Sequence, residues 1–470
     1  MKKRAAASWL RFLQILYLVT LLFAIVPYGS VHDPAIALVG VLFGTLAICS
    51  SISPLRLELR APLSWTTVLT GTIVMAALLQ TLPLGLSHPS WVATGQILGL
   101  GSKTISVAPS ATIVGLLSLL LPVLAFATGL IIFQKDNSAQ TLFRTMAIIA
   151  LVGAVLGLYE FSIAPGQLLF QPRKAQMSGV SAFFVNRNTA ATFLGMGASL
   201  WYALLLQRLQ KLGIAGLQGL LLRADGNAYR NMLPIFLLFL SFLIMIIALF
   251  LTKSRAGIAA SLVGIFVTSV AMLQSEPKLH LGFWRRRSSI ISSAVVVVAL
   301  LGLYGSQFIG RLTDANFLMD GRWCFYKGLL AAIMERPFTG LGFGTLRYTY
   351  PAYRDPACFS LDLMLDRGHN GYLELAMGMG VLSLVVVAIA IYYLGRLLLI
   401  GIVSRHRMRP VPAAALGCLV IAVLHTATDF SLQILGVACF LAAILAAGVV
   451  ASCPQRKRYK KSPKLKRSSA

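Results

Sequence analysis

The chain has 470 residues, 57% of them hydrophobic and only 12% charged, with mean hydropathy +0.81 and a formal net charge of +27. A soluble domain carries about a quarter charged residues, so the composition excludes one and implies a polytopic membrane protein. Much of the positive excess sits in the tail QRKRYKKSPKLKR and in short loops between apolar runs. That is the pattern of topology signals and contact with anionic lipid; it argues against a nucleic-acid partner.

The opening MKKRAAASWLRFLQILYLVTLLFAIVP lacks a clear small-x-small cleavage site and reads as a retained first span. A spanning helix needs about 20 mostly apolar residues. Twelve candidates follow: 10–28, 35–53, 66–84, 110–133, 145–163, 188–206, 232–252, 256–273, 290–308, 372–400, 411–428 and 432–451. One set of alternate loops carries Arg56 and Arg60, Lys135 and Arg144, Arg208, Lys211, Arg223 and Arg230, Lys278 with Arg285 to Arg287, and Arg405, Arg407 and Arg409. Both basic termini fall on the same side. The positive-inside rule makes this side cytoplasmic and turns residues 309–371 outward. The loop 207–231 is predicted to lie as an amphipathic helix on the cytoplasmic surface. No repeat relates the two halves.

The predicted fold class is therefore all-α: a polytopic integral membrane protein of about twelve transmembrane helices, with one large helical periplasmic segment between spans nine and ten. Residues 1–308 hold spans one to nine, 309–371 the periplasmic segment, 372–451 spans ten to twelve, and 452–470 a basic, disordered cytoplasmic tail.

The stretch Gly310–Glu374 breaks the apolar pattern: it holds seven of the fourteen acids and seven arginines or lysines. Other polar groups fall at predicted outer ends of spans. Asn186-Arg187-Asn188-Thr189 opens span six, where an asparagine can cap the helix. Thr252-Lys253-Ser254-Arg255 forms the turn between spans seven and eight. Arg322 and Trp323 open a helix of the outer segment, with Asp320 as its cap. His369-Asn370 precedes Glu374 at the start of span ten. His425 and Asp429 lie near the turn between spans eleven and twelve. Polar groups gathered near a membrane are costly to bury and mark functional candidates.

Each has a plainer reading. Arg255 can snorkel to headgroups, Arg322 can balance Asp320, and His369 can serve only as a hydrogen-bonding group. Trp323, Tyr326, Tyr348, Tyr350 and Tyr353 can stack on sugars or pack in a core. The six histidines show no metal-ligand spacing, so no metal site is predicted. The GLGFG run, Gly340–Gly344, lacks the spacing of a dinucleotide loop and reads as a turn. Cys324 and Cys358 share the outer segment, where they can form a disulfide or remain two buried thiols.

Five stretches in order resemble the bacterial O-antigen ligase and polymerase family: FFVNRNTAATFLG (183–195), LTKSRAGIAAS (251–261), GRW…ERPFTGLGFGT (321–345), RGHNGYLELAMGMG (367–380) and HTATDFSL (425–432). The likeness covers residues from about 180 to 450. It implies a multi-pass protein of the bacterial inner membrane whose active site faces the periplasm. It further implies metal-independent glycosyl transfer, without a cofactor, from undecaprenyl diphosphate to an acceptor sugar hydroxyl. The acceptor would be lipid A–core for a ligase, or a second lipid-linked repeat for an O-antigen or exopolysaccharide polymerase.

The family's catalytic positions map to Arg255, Arg322 and His369. Arg187, Asn186, Asn188, Ser254, Asn370, Glu374, Tyr350 and Tyr353 are the accompanying candidates for substrate binding. One departure stands out: the family's Ser-Arg-Gly turn is Ser254-Arg255-Ala256-Gly257 here. The residue types suit the chemistry. Arginine forks bind phosphate and stabilise a departing diphosphate, and an imidazole can take the acceptor's proton near neutral pH. Glu374 either orients the site or simply starts span ten. A twelve-span transporter is the rival from another class, but its polar groups would gather at mid-membrane rather than at one boundary.

Overall fold

A computed structural model describes residues 2–86, 92, 97, 103–172, 179–222, 226–273, 321–355 and 366–454. Predicted span nine, residues 290–308, the tail beyond 454 and the Cys324–Cys358 pairing lie outside the described residues or side chains.

The described chain is helical almost throughout. The helices are α1 (Lys2–Ile25), α2 (Asp33–Ser51), α3 (Leu57–Gln80), α4 (Pro109–Ile132), α5 (Asp136–Ser162), α6 (Arg187–Leu222), α7 (Gly226–Leu251) and α8 (Arg255–Leu273). After the undescribed stretch come α9 (Gly321–Glu335), α10 (Leu346–Thr349), α11 (Gly371–Met379), α12 (Leu382–Ser404), α13 (Pro410–Thr426) and α14 (Leu435–Ser452). A two-stranded hairpin, Gln167–Leu168 with Gln171–Pro172, and two short 3-10 turns complete the described elements. Among the described residues ten helices are long and apolar enough to cross a membrane, and α13 is apolar but shorter. The fold is that of an all-α polytopic membrane protein.

Burial ranks the helices. Helix α14, LGVACFLAAILAAGVVAS, is apolar all round, and its spanning window is wholly buried. It packs against α1, α4, α5, α12 and α13. Small residues permit this: Ala442, Ala443, Ala446 and Ala447 let neighbouring backbones approach closely. Helices α3, α7 and α12 bury under a fifth of their windows and expose large apolar side chains such as Ile389 and Tyr392, as lipid-facing helices must.

The two ends of the bundle differ. At one end Arg56 donates to the carbonyls of Gln134, Cys453 and Pro454, while Arg405 donates to Cys453 O and pairs with Asp136. Arginines thus satisfy carbonyls that helix C-termini leave without partners. At the other end Gly436 N donates to Gly29 O, and Val180 N donates to Leu251 O. Among the described residues, the basic loops at Arg56, Lys135 and Arg405 thus meet at one end.

Two expectations are corrected. The predicted span 372–400 is two helices. Gly380, at φ +77°, ends α11, and the Phe338 carbonyl sits where a Cβ would come within 2.2 Å of it. The glycine-rich run 340–344 then takes over the α11 carbonyls: Leu341 N donates to Met377 O and Gly342 N to Gly378 O. The predicted surface helix 207–231 is also absent as a separate element, because α6 runs unbroken to Leu222.

Buried Gln80, at the end of α3, pins this region. Its amide donates to Thr339 O and Gly378 O, both at 2.7 Å, and its carbonyl accepts from Phe343 N. A second small core forms here from Phe325, Leu329, Ala332, Ile333, Leu341, Leu346, Tyr350, Ala376 and Met377. It joins α9, α10 and α11 beyond the spanning bundle.

Candidate active site

Most of the predicted site residues stand at helix N-termini that share one end of the bundle. Asn186 caps α6, its Oδ1 accepting from Asn188 N at 2.7 Å. Arg187 is the first residue of α6, Arg255 the first of α8 and Arg322 the second of α9. None of the three helices has an acid in its first turn. A cation at a helix N-terminus opposes the macrodipole, at a cost of roughly 0.3–1 kcal/mol each. Repeating this unfavourable choice three times suits a site that receives an anion from outside the chain.

The turn before α8 aims Arg255 outward. Lys253 adopts φ +57°, and Ser254 N donates to Thr252 Oγ1. Arg255 is exposed, whereas Ser254 is buried with its hydroxyl unpartnered among the described residues. The displaced glycine of the Ser-Arg-Ala-Gly sequence has a physical reason. A Cβ at Gly257 would come within 2.5 Å of Ala191 Cβ, 2.9 Å of Ser254 Oγ and 3.2 Å of His425 Cε1. Its lack of a side chain lets α8 close on α6 and α13.

From His425 a continuous set of contacts leads to His369. His425 Nδ1 and Thr192 Oγ1 share a hydrogen bond of 2.5 Å, in the interior between α6 and α13. One turn earlier on α6, Asn188 Nδ2 donates to Asp429 Oδ1 at 3.1 Å. Ser431 Oγ donates to the other oxygen of Asp429, whose side chain is fully buried. The next residue, Phe430, meets the His369 ring edge-on, with centroids 5.1 Å apart. Phe325 of α9 stacks on the imidazole at 5.7 Å and 21°. Arg322 lies one helical turn before Phe325, so α9 brings its backbone to the histidine.

His369 itself is held in an uncommon conformation, φ +50°. A non-glycine residue there costs on the order of 1 kcal/mol and persists only where neighbours determine it. Tyr326 Oη donates to its carbonyl at 3.2 Å. Asn370 caps α11 by accepting from Tyr372 N and Leu373 N. Glu374 reaches back to accept from Gly368 N at 2.8 Å. Burial pushes the Glu374 carboxyl above the usual carboxylate range, against hydrogen bonds from Gln433 and Gly368 and the charge of Arg367. Arg367 in turn donates to Gln433 Oε1. Both ends of the histidine loop are thus tied.

Two of the predicted residues stand apart. Tyr350 is a core ring, 3% exposed, packed 6.1 Å from Phe325. Tyr353 Oη donates to Glu335 at the far end of α9, about 20 Å along the helix from Arg322. Several site residues escaped the sequence pattern. Phe325, Phe430 and Thr192 look like ordinary apolar or helical positions. His425 and Asp429 were visible as polar groups at the right depth, but their link to Thr192 and Asn188 spans more than 230 positions. Among the described residues no three His, Cys, Asp or Glu side chains gather as a metal site.

No curated protein matches the chain. The O-antigen ligase family model matches residues 240–388. The match runs from α7 into α12 and so includes Arg255, Arg322 and the His369 loop, but neither the α6 N-terminus nor Asp429. The chain is therefore a multi-pass membrane protein in which residues 240–388 form an O-antigen ligase family domain.

Proposed function

We propose that the protein is a periplasm-facing glycan transferase of the bacterial inner membrane, moving a glycan from undecaprenyl diphosphate to an acceptor sugar hydroxyl. Lipid A–core is the favoured acceptor, in keeping with the family match. The observation that carries the reading is the set of three arginine-led helix N-termini, free of first-turn acids, at the end of the bundle that holds His369. The orientation rests on the opposite end, where arginines cluster as they do on cytoplasmic faces.

In this reading the acceptor oxygen attacks the anomeric carbon and gives its proton to His369. The bond from that carbon to the diphosphate oxygen breaks, and the lipid diphosphate departs with the electron pair. Arg255 and Arg322 neutralise that charge, and guanidinium forks do so with directed hydrogen bonds. Arg187, Asn186, Asn188, Ser254 and Asn370 form the surrounding substrate contacts, with Glu374 holding the histidine loop. Tyr350 and Tyr353 support the wall behind it. The arginines perform the charge neutralisation without metal.

The test is transfer by purified protein in detergent, from a lipid-diphosphate glycan to lipid A–core, with and without EDTA. Transfer that survives EDTA and fails in Arg255→Ala supports the reading; loss on EDTA with rescue by divalent metal overturns the arginine mechanism. Product formed only on a second lipid-linked repeat identifies a polymerase. Orientation is tested separately. A single cysteine at exposed Tyr348 should react with an impermeant thiol reagent from the periplasmic side.

A further inference from the structure

A cavity of about 360 Å³ opens at the end of the bundle opposite His369. It lies between α5, α6 and α7, and its rim carries Arg144, Arg208 and Lys211, with Gln207 beside them. Arg208 and Lys211 lie about 32 and 36 Å along α6 from Arg187, so the helix carries them across the full hydrocarbon thickness to the other interface. Among the described residues the three cations form no ion pair or hydrogen bond. Among the described residues, the acids at this end are engaged elsewhere, Asp136 with Arg405 and Glu58 with Arg56.

The floor is apolar. Trp201, Leu204, Ile148 and Leu238 line it, and Ile148 is 52% exposed on the outer face of α5. The Trp201 ring is fixed by donating from Nε1 to Ala147 O at 2.8 Å. A narrower cleft continues past Arg144 and Gln207 to Arg407. The lining therefore changes from cationic at the interface to apolar and outward-facing below it. A free phosphate would use only the rim. A phospholipid would use both parts, its phosphate on the cations and an acyl chain along Ile148 and Leu238.

We propose that this cavity binds an anionic phospholipid through its phosphate-bearing headgroup. Occupancy would tie α5, α6 and α7 together at the end of the same helix whose other terminus carries Asn186, Arg187 and Asn188. Cationic pockets between spanning helices take such headgroups by the same attraction.

Native mass spectrometry of the detergent-purified full chain tests this, with phosphatidylglycerol and phosphatidylcholine of matched acyl chains titrated in parallel. Phosphatidylglycerol should bind preferentially. Arg208→Gln with Lys211→Gln should weaken that binding about 30-fold, taking roughly a fivefold loss per cation. Arg60→Gln, an exposed cation at the same end but outside the cavity, should leave it unchanged. The single variant Arg144→Gln, also exposed, gives the same reading should the double variant not fold, with about a fivefold loss. Equal binding of the two lipids, or unchanged phosphatidylglycerol binding in the cavity variants, overturns the proposal. So does full displacement of the lipid by millimolar inorganic phosphate, which would identify a free-anion site.

Discussion

Asn188→Asp probes the link between α6 and the histidine region most directly. Asn188 Nδ2 donates to the fully buried carboxylate of Asp429 at 3.1 Å. The substitution replaces that donor with a second carboxylate of nearly the same shape. Two charges at this separation repel by about 5 kcal/mol at an effective dielectric of about 20. The pair escapes by keeping one proton between them. Holding a proton at pH 7 on a carboxyl that ordinarily loses it near 3.9 costs about 4 kcal/mol, so this smaller figure sets the destabilisation.

The opposing gain, an acid in the first turn of α6, is worth only about 0.3–1 kcal/mol. The folded variant retains a proton that the unfolded chain releases, so its stability recovers as pH falls. By pH 5 the deficit shrinks to about 1.5 kcal/mol. Asn188→Ala should cost about 1–3 kcal/mol through the lost donor, with a much weaker pH dependence. The assay is thermal unfolding of purified wild type and both variants between pH 5 and pH 8. If Asn188→Asp melts with wild type at every pH, Asn188 and Asp429 are not in contact and the described route from α6 to His369 is wrong.

His369→Ala should leave donor binding nearly intact and lower turnover about 100- to 10,000-fold, as loss of a general base does; single-turnover transfer separates the two. Arg255→Ala should raise the donor KM as well as lower kcat, and Arg255→Lys should recover only part, since lysine loses the planar fork. The raised Glu374 carboxyl, outside the spanning helices, contributes stability that is full below its unfolded value and is lost as pH rises through its folded value. Glu374→Gln should therefore remove the fall in stability between the carboxyl's unfolded and folded values, and a profile parallel to wild type across that window would refute the assignment. Gln80→Leu strands Phe343 N–H and the Thr339 carbonyl, each worth about 1–3 kcal/mol if left unmet, while Gly378 O keeps Gly342 N; it should make the 337–344 turn sensitive to limited proteolysis.

Hydropathy runs of about 20 residues and the basic loops between them were enough to read an all-α membrane protein with two unlike ends. These are local properties: each apolar run must satisfy its backbone internally, and each charge is repelled from lipid wherever it lies. Helix starts were legible for the same reason. Asn186 and Asn370 cap the helices that follow because a short polar side chain competes for their unpartnered N–H groups.

The tertiary structure alone decided where span ten breaks. Gly380 reads as one more small residue in an apolar run until the Phe338 carbonyl is seen against it. It also decided that the glycine after Arg255 belongs at position 257, because only the packing of α8 on Ala191 and His425 leaves no room there for a side chain. The surroundings of His369 come from Phe325, Phe430 and, through Asp429, from Asn188. Those residues lie on separate helices and on the turn after α13, and a one-dimensional pattern carries no record of which helix ends meet. Close packing of the bundle makes that choice, because small residues let helices approach and so fix which polar termini share a face.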